Sequence, residues 1–397
     1  MIETDILVAG GGIAGLSATA RLGAAGFDVI CVDPAPADQP GSDLRTTAFL
    51  QPAVETLERA GAWGAMADGA AALSTMRLVD AGGAERAPRE TAGFEASELM
   101  DRPFGWNVPN IAARAALLDR LEELPNTRLI DRERVTSLVT RRTEALARLE
   151  SGETVRAKLV LAADGRDSRL REKAGIRAHR WHYGQKALVF AVIMGRPHDG
   201  VSTEIHRTGG PLTFVPMPDR DGRPCASVVW MVPGARAGAL AELDDRMLAA
   251  ELELEAMGLF GRLEIAGARA VWPIIAQVAA RLTGQRLALV AEAAHVVPPI
   301  GAQGLNMSLT DIECLAGLAE EARAAGLDVG GPDLLDTYHR RRHAEMLARV
   351  AGIDVLNRAA QAEAQLLRDL RRAGLRAIHE AAPIRHLAMK LGLGVRS

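Results

Sequence analysis

Short apolar runs separated by glycine turns and helix-period stretches set the layout of the chain. ILVA at residues 6–9 is an apolar run closed by glycines, which reads as a buried strand. Residues 13–26, IAGLSATARLGAAG, carry apolar positions at helical spacing and end in glycine, and VICVD at 29–33 is a second strand. KLVLAA at 158–163 and RLALV at 286–290 are further buried strands. Strands alternating with helices predict a parallel sheet. The stretch from 187 to 232 is different: ALVFAVIMG, VSTEIHR, PLTFVPM and CASVVWMV follow one another without helical period. They predict a mainly antiparallel sheet, joined by TMRLVDAGG at 75–83. After Gly331 the helical period holds to the end.

Three turns in this layout carry chemistry. In the first, Gly10, Gly12 and Gly15 fill a G-x-G-x-x-G pattern that includes Ala14, and Asp33 closes the next strand. That is a dinucleotide-binding βαβ unit, with glycines for the tight turn, pyrophosphate approach and helix packing, and an acid for the ribose hydroxyls. In the second, KLVLAADGRDSRLREKAGI ends a strand in Asp164-Gly165 and continues to Ser168 and Arg171. Asp-Gly is a turn signal in any α/β protein, but D-G-x-x-S-x-x-R is far more restrictive. In the third, LVAEAAHVVPPIGAQGLNMSLTD (289–311), Pro298 and Pro299 stiffen a loop and Gly301 and Gly304 permit close backbone approach. A helix then begins near Asn306 and offers unpaired N–H groups to negative charge.

In this order the three segments resemble the FAD-dependent aromatic hydroxylases related to para-hydroxybenzoate hydroxylase, and among them the ubiquinone-biosynthesis hydroxylases. DLRTTAFLQPAVETLERAGAW (43–63), FGWNVPNIAARAALLDRL (104–121), GGPLTFVPMPD with ASVVWMVP (209–233) and YHRRRHAEMLARVAGIDVLNR (338–358) extend the likeness over nearly the whole chain.

The resemblance implies FAD, electrons from NAD(P)H or a partner protein, O2, and hydroxylation of a phenolic, polyprenylated substrate through a flavin C4a-hydroperoxide. It puts Pro299, Gly301 and Gln303 at the isoalloxazine, with the backbone through Gly304, Leu305 and Asn306 stabilising negative charge there. Arg45 falls near the pyrophosphate, Arg114 is a second nucleotide-site candidate, and Asp164 braces the cofactor side. Ala291-Glu292 stands where the family has Gly-Asp, so Glu292 is expected to reach the ribityl chain. His295 reads as structural, and no side chain stands out as a substrate base. Phe190, Phe214, Val215, Met217 and Trp230 are either an apolar substrate lining or plain sheet core. The same scaffold also serves flavin reductases and dehydrogenases, and a non-catalytic subunit would keep it too.

The expected architecture is α/β: a Rossmann-like FAD-binding domain from 1–73, 98–180 and 272–350, and an antiparallel substrate domain from 74–97 and 181–271. A helical C-terminal region, 351–397, completes it. A cavity at the interface, or a sheet that only buttresses the nucleotide domain, fits this division.

The 397 residues carry a net charge of −3, which gives no reason to expect nucleic acid. Cys31, Cys225 and Cys314 are widely spaced, in no metal or redox pattern, and read as core residues of a reducing compartment. A strand beginning near residue 4 leaves no room for a signal peptide, and no apolar run reaches membrane-spanning length, so a cytoplasmic protein is expected. The tail from 366 to 397 holds Arg368, Arg371, Arg372, Arg376, Arg385, Lys390 and Arg396 against two acids. Leu367, Leu370, Ile378, Ile384, Leu387 and Leu391 recur there near helical spacing. Such an end lies on an anionic membrane, docks a quinone-biosynthesis partner, or packs on its own domain.

Overall fold

The computed structural model describes residues 1–38, 43, 45–83, 85–207, 209–362 and 364–394; Arg396 lies outside them. Strand β1 (Ile2–Ala9) is central to the first sheet, with β2 (Val29–Asp33) and β11 (Thr154–Ala162) parallel on either side. Beyond β2 lies β8 (Thr127–Asp131), and beyond β11 lie β19 (Leu287–Leu289) and the short β18 (Thr283–Gly284). A hairpin of β9 (Val135–Thr140) and β10 (Ala145–Leu149) adds antiparallel to β11. Ile6, Leu7 and Val8 are fully buried, as a parallel strand covered on both faces requires. Helix α1 (Ile13–Ala24) packs on α4 (Asn110–Glu123) and α8 (Gln303–Ala324).

The second sheet has nine strands and is antiparallel except at one junction. From β20 (His295–Val296) it runs through β17 (Ala270–Ala279), β12 (Ala178–Met194), β15 (Arg223–Pro233), β14 (Pro211–Arg220) and β13 (Val201–His206). It then reaches β5 (Thr75–Asp80), parallel to β13, and β6 (Glu90–Glu95), while β16 (Leu263–Ile265) pairs with β12. One face packs on α6 (Gly234–Glu242) and α7 (Asp245–Glu255) through Leu188, Phe190, Phe214 and Trp230.

This separates the two readings of the apolar group, substrate lining and sheet core. Phe190, Phe214 and Trp230 belong to that helix-covered core, whereas Val215 and Met217 alternate to the opposite face, because side chains on a strand change sides at every residue. The five residues do not share a surface.

A third, small sheet of β3 (Thr46–Leu50), β7 (Gly105–Pro109) and β4 (Ala71–Leu73) stands beside α2 (Gln51–Ala60) and α3 (Trp63–Ala67). Strand periodicity alone did not reveal it. Phe49, Trp63 and Trp106 form an aromatic cluster at its back.

The C-terminus is helical: α9 (Pro332–Gln361), α10 (Gln365–Glu380) and α11 (Ala382–Leu393). The tail's polarity is the reverse of what a basic outer face would give. Arg371 bonds the buried Asp80 at 2.8 Å, Arg376 bonds Glu90, and Arg385 bonds Glu98, so these arginines fasten the tail to its own body. Leu375, Ile378, Met389 and Leu393 pack with Phe94 and Phe104. Leu366, Leu367, Leu370, Ile384, Leu387 and Leu391 point outward, each at least half exposed, beside Val355 and Leu356 of α9. Among the described residues no helix is long and apolar enough to cross a membrane.

Candidate active site

The glycine turn joins β1 to α1. Gly10 has φ of +111°, and a Cβ there would lie 2.3 Å from the carbonyl oxygen of Ala163. A Cβ on Gly15 would meet the Gly10 oxygen at 1.8 Å. Both positions therefore require glycine, and the contact at Ala163 brings the first motif against the strand end that carries Asp164. Around Gly12 nothing lies within 4 Å of an added Cβ, so the mouth of the turn is open. Ala14 follows in the first turn of α1, which starts without a side-chain cap or an acidic residue and leaves its amides free for an anion. Asp33 Oδ2 accepts from the Gly11 amide at 2.5 Å and Oδ1 from Ala35 at 2.8 Å, so the acid also braces the turn.

The second motif is a knot of side chains. Asp164 accepts from the Ser168 hydroxyl at 2.5 Å and the Leu170 amide at 3.2 Å, and Ser168 caps α5 (Arg169–Lys173). The buried Arg171 donates to the carbonyls of Arg166 and Ala293, each at 3.1 Å. That last bond ties the Asp-Gly segment to the turn that opens the third motif.

In the third segment Ala291 sits at φ +56°. The Glu292 side chain is half exposed, 3.7 Å from Arg166. His295 is buried and its Nε2 lies 2.7 Å from Asp311 Oδ2, while Arg342 donates to the other oxygen of Asp311 at 2.8 Å. Pro299 precedes Gly301 at φ +61° and Ala302 at φ +57°, two left-handed residues that turn the chain into α8. Helix α8 has no side-chain cap and no acid in its first turn, which contains Gln303, Gly304, Leu305 and Asn306. Asn306 donates to Ala48 at 2.7 Å and Ala302 at 2.6 Å and accepts from the Leu50 amide at 2.8 Å. Its side chain locks β3 to the loop, and the first-turn amides, uncapped by any side chain, remain for a ligand.

Arg45 forms a bidentate pair with Asp43, both bonds 2.7 Å, and its guanidinium stacks over Trp272. It lies in the approach to β3, with Glu292 close enough to reinforce its charge. Arg114 lies apart from the 299–306 loop, near Pro36. Through Gly10 against Ala163, Arg171 on Ala293 and Asn306 on Ala48 and Leu50, the three motifs meet beside β3, with Arg45 at its approach.

Sequence reasoning missed Asn107. This residue of β7 is buried, donates to the Pro216 carbonyl at 2.8 Å, and leaves Oδ1 buried without a partner. A lone amide inside the apolar run WNVP was the available signal. The orphaned oxygen, the open mouth at Gly12 and the uncapped start of α8 fit a long ligand with hydroxyls, a pyrophosphate and a ring that takes negative charge. FAD has those parts.

A βαβ nucleotide-binding unit joined to a second, largely antiparallel sheet defines a two-sheet nucleotide-binding protein. The family described as FAD binding domain matches residues 3–386. Ubiquinone hydroxylase UbiL of Rhodospirillum rubrum is 32% identical over 396 residues, 98% of this chain and 89% of that protein. The 3-demethoxyubiquinol 3-hydroxylase of Escherichia coli is 31% identical over 99% of both chains. In structure, p-nitrophenol 4-monooxygenase of Pseudomonas putida superimposes with a TM-score of 0.81 over all of both chains at 19% identity, a likeness of fold. The chain belongs to the FAD-dependent aromatic hydroxylases.

Proposed function

We propose that the protein hydroxylates the aromatic ring of a polyprenylated phenol in ubiquinone biosynthesis. The observation that carries this reading is end-to-end similarity to two ubiquinone-ring hydroxylases at 31–32% identity. FAD, reduced by NAD(P)H or a partner protein and reacted with O2, supplies the oxygen atom.

The residues divide the remaining work. The amides around Gly10, Gly12, Ala14 and Gly15 hold the pyrophosphate, Asp33 the ribose, and Arg45 offsets phosphate charge, with Arg114 contributing at the nucleotide end. Asp164 braces the cofactor side and Glu292 meets the ribityl chain. Pro299, Gly301 and Gln303 set the ring loop, and the amides from Gly304 through Leu305 to Asn306 receive negative charge on the ring. A closed cleft excludes water, so that oxygen is delivered to substrate rather than lost as hydrogen peroxide.

A polyprenyl substrate resides in lipid, and the outward leucines of α10 and α11 support a peripheral contact of a cytoplasmic enzyme with the inner membrane. The deciding experiment deletes the gene in its host and identifies the accumulating quinone precursor by mass spectrometry. A prenylated phenol lacking one ring hydroxyl is expected; an unchanged quinone pool overturns the assignment.

A further inference from the structure

The second sheet has an inner face turned toward the nucleotide-binding half, where Ala187, Val189 and Met231 join the main core. In the middle of that face Ala191, Val215 and Val229 remain only partly buried although they lie on interior strands. Val229 packs against that core, yet this part of the face keeps some exposure. On β13, Ile205 packs into the opposite, helix-covered core beside the fully buried Thr203. Alternation therefore places Ser202, Glu204 and His206 on the inner face.

Glu204 is only 4% exposed and sits in register between Leu78 and Thr213, with Val229 one strand further on. One of its oxygens lies 2.6 Å from His206 Nε2. Among the described residues the Glu204 carboxylate bonds His206 alone, through that one oxygen, and His206 Nδ1 is buried without a partner. The nearby charges are committed elsewhere. Asp80, opposite His206, is held by Arg89 and Arg371; Arg371 also donates to the carbonyls of His206 and Arg207; the Arg207 side chain pairs with Glu255. A buried carboxylate on an apolar sheet is costly without a second partner.

We propose that Glu204, oriented by His206, receives the hydroxyl of the phenolic substrate and takes its proton as the ring is hydroxylated. This rests on the reading of the protein as a phenol hydroxylase. The phenol O–H bond breaks, the proton moves to the free oxygen of Glu204, and the electron pair stays on the ring oxygen. Electron density rises at the ortho and para carbons, which is where an electrophilic oxygen attacks. No electron changes hands in this step, and the proton returns to the product oxygen before release.

The test uses the FAD-loaded protein, a soluble alkylphenol and its O-methyl ether, with oxygenated product measured by mass spectrometry. Glu204→Gln is expected to keep its bound-flavin absorbance and lose about 100-fold in kcat at neutral pH, with a smaller change in KM. Its rate is expected to recover roughly tenfold per pH unit toward the phenol's own pKa near about 10. Glu204→Asp keeps part of the activity. A Gln variant with the wild-type pH profile and a kcat within about twofold overturns the proposal. If that variant does not hold flavin, the wild-type protein decides: the phenol is oxygenated and the ether is not, and equal turnover of both overturns the role of Glu204. A wild-type protein that oxygenates neither overturns the hydroxylase reading and this proposal with it.

Discussion

Gln303 donates from Nε2 to the carbonyl of Gly392 at 2.8 Å, so the first turn of α8 is tied directly to the last helix of the chain. Arg349 of α9 donates to Gln303 Oε1 at 3.0 Å, and Gln303 also closes on the Gly301 carbonyl at 2.8 Å. The tail therefore holds the ring loop. Gln303→Leu is expected to weaken FAD binding by about 1 kcal/mol, roughly fivefold in Kd, and to raise hydrogen peroxide released per NAD(P)H oxidised. Flavin titration and a peroxide assay read both effects. Unchanged affinity and coupling would show that this bridge has no influence on the site.

Gly15→Ala places a methyl group 1.8 Å from the Gly10 carbonyl oxygen, which neither turn nor helix can absorb. The purified variant is expected to be colourless, with less than a tenth of the wild-type flavin content. Yellow protein at full occupancy would contradict the packing described for this turn.

Ala291 adopts a left-handed conformation that costs an L-residue about 1 kcal/mol more than glycine. Ala291→Gly is expected to stabilise the protein by up to about 1 kcal/mol, partly offset by the greater freedom of glycine in the unfolded chain. Thermal melts of the apoprotein measure it. The adjacent Glu292→Ala is expected to loosen FAD; tight binding that survives unchanged would remove Glu292 from the cofactor site.

Asp311 sits fully buried between His295 and Arg342. Burial alone would raise its pKa, but the charges of His295 and Arg342 outweigh that and hold it below the ordinary aspartate value. A depressed carboxylate contributes stability that is present above the unfolded pKa of about 4 and is lost as pH falls through the folded value. Asp311→Asn is expected to cost about 1–3 kcal/mol at pH 7, because Arg342 loses one of its two carboxylate partners and keeps only Glu345. Urea midpoints should show that difference shrinking below about pH 4; a gap independent of pH would mean the carboxylate charge is not what holds this site.

Leu367, Leu370 and Leu387 are more than half exposed, so exchanging all three for serine should leave the thermal midpoint unchanged. Co-sedimentation with anionic vesicles is expected to fall on the order of tenfold. Equal pelleting of variant and wild type would sink the lipid contact.

The features legible in the sequence are those imposed on the backbone at one short stretch. Gly10 and Gly15 admit no other residue, and Asp164, Ser168 and Arg171 report a local knot, so motif and structure agree. Features set by distant partners were harder to read. Asn107 matters because Pro216 lies beside it, and the sequence separates them by more than a hundred residues. The choice between substrate lining and sheet core turned on simpler grounds: Phe214 and Val215 are consecutive in a strand and cannot share a face. For the tail's arginines, sequence left a lipid surface, a partner and the chain's own body all open, because their carboxylate partners, Asp80, Glu90 and Glu98, lie far upstream. Glu204 escaped notice as a candidate base because a lone acid in VSTEIHR carries no spacing signature.

The pairing of β1 with β11 has a consequence for synthesis. Ile2 through Ala9 are bounded on one side by Val155 through Ala162, and β11 is in turn bounded by Leu287 through Leu289. At a translation rate of about 5–20 residues per second, the first strand waits on the order of ten seconds or more for its neighbour, and longer for the ring loop. Loop closure over such separations slows folding. The nascent chain thus exposes an apolar N-terminal strand edge until β11 has been made. Cofactor capture waits longer still, until the loop at 299–306 has left the ribosome.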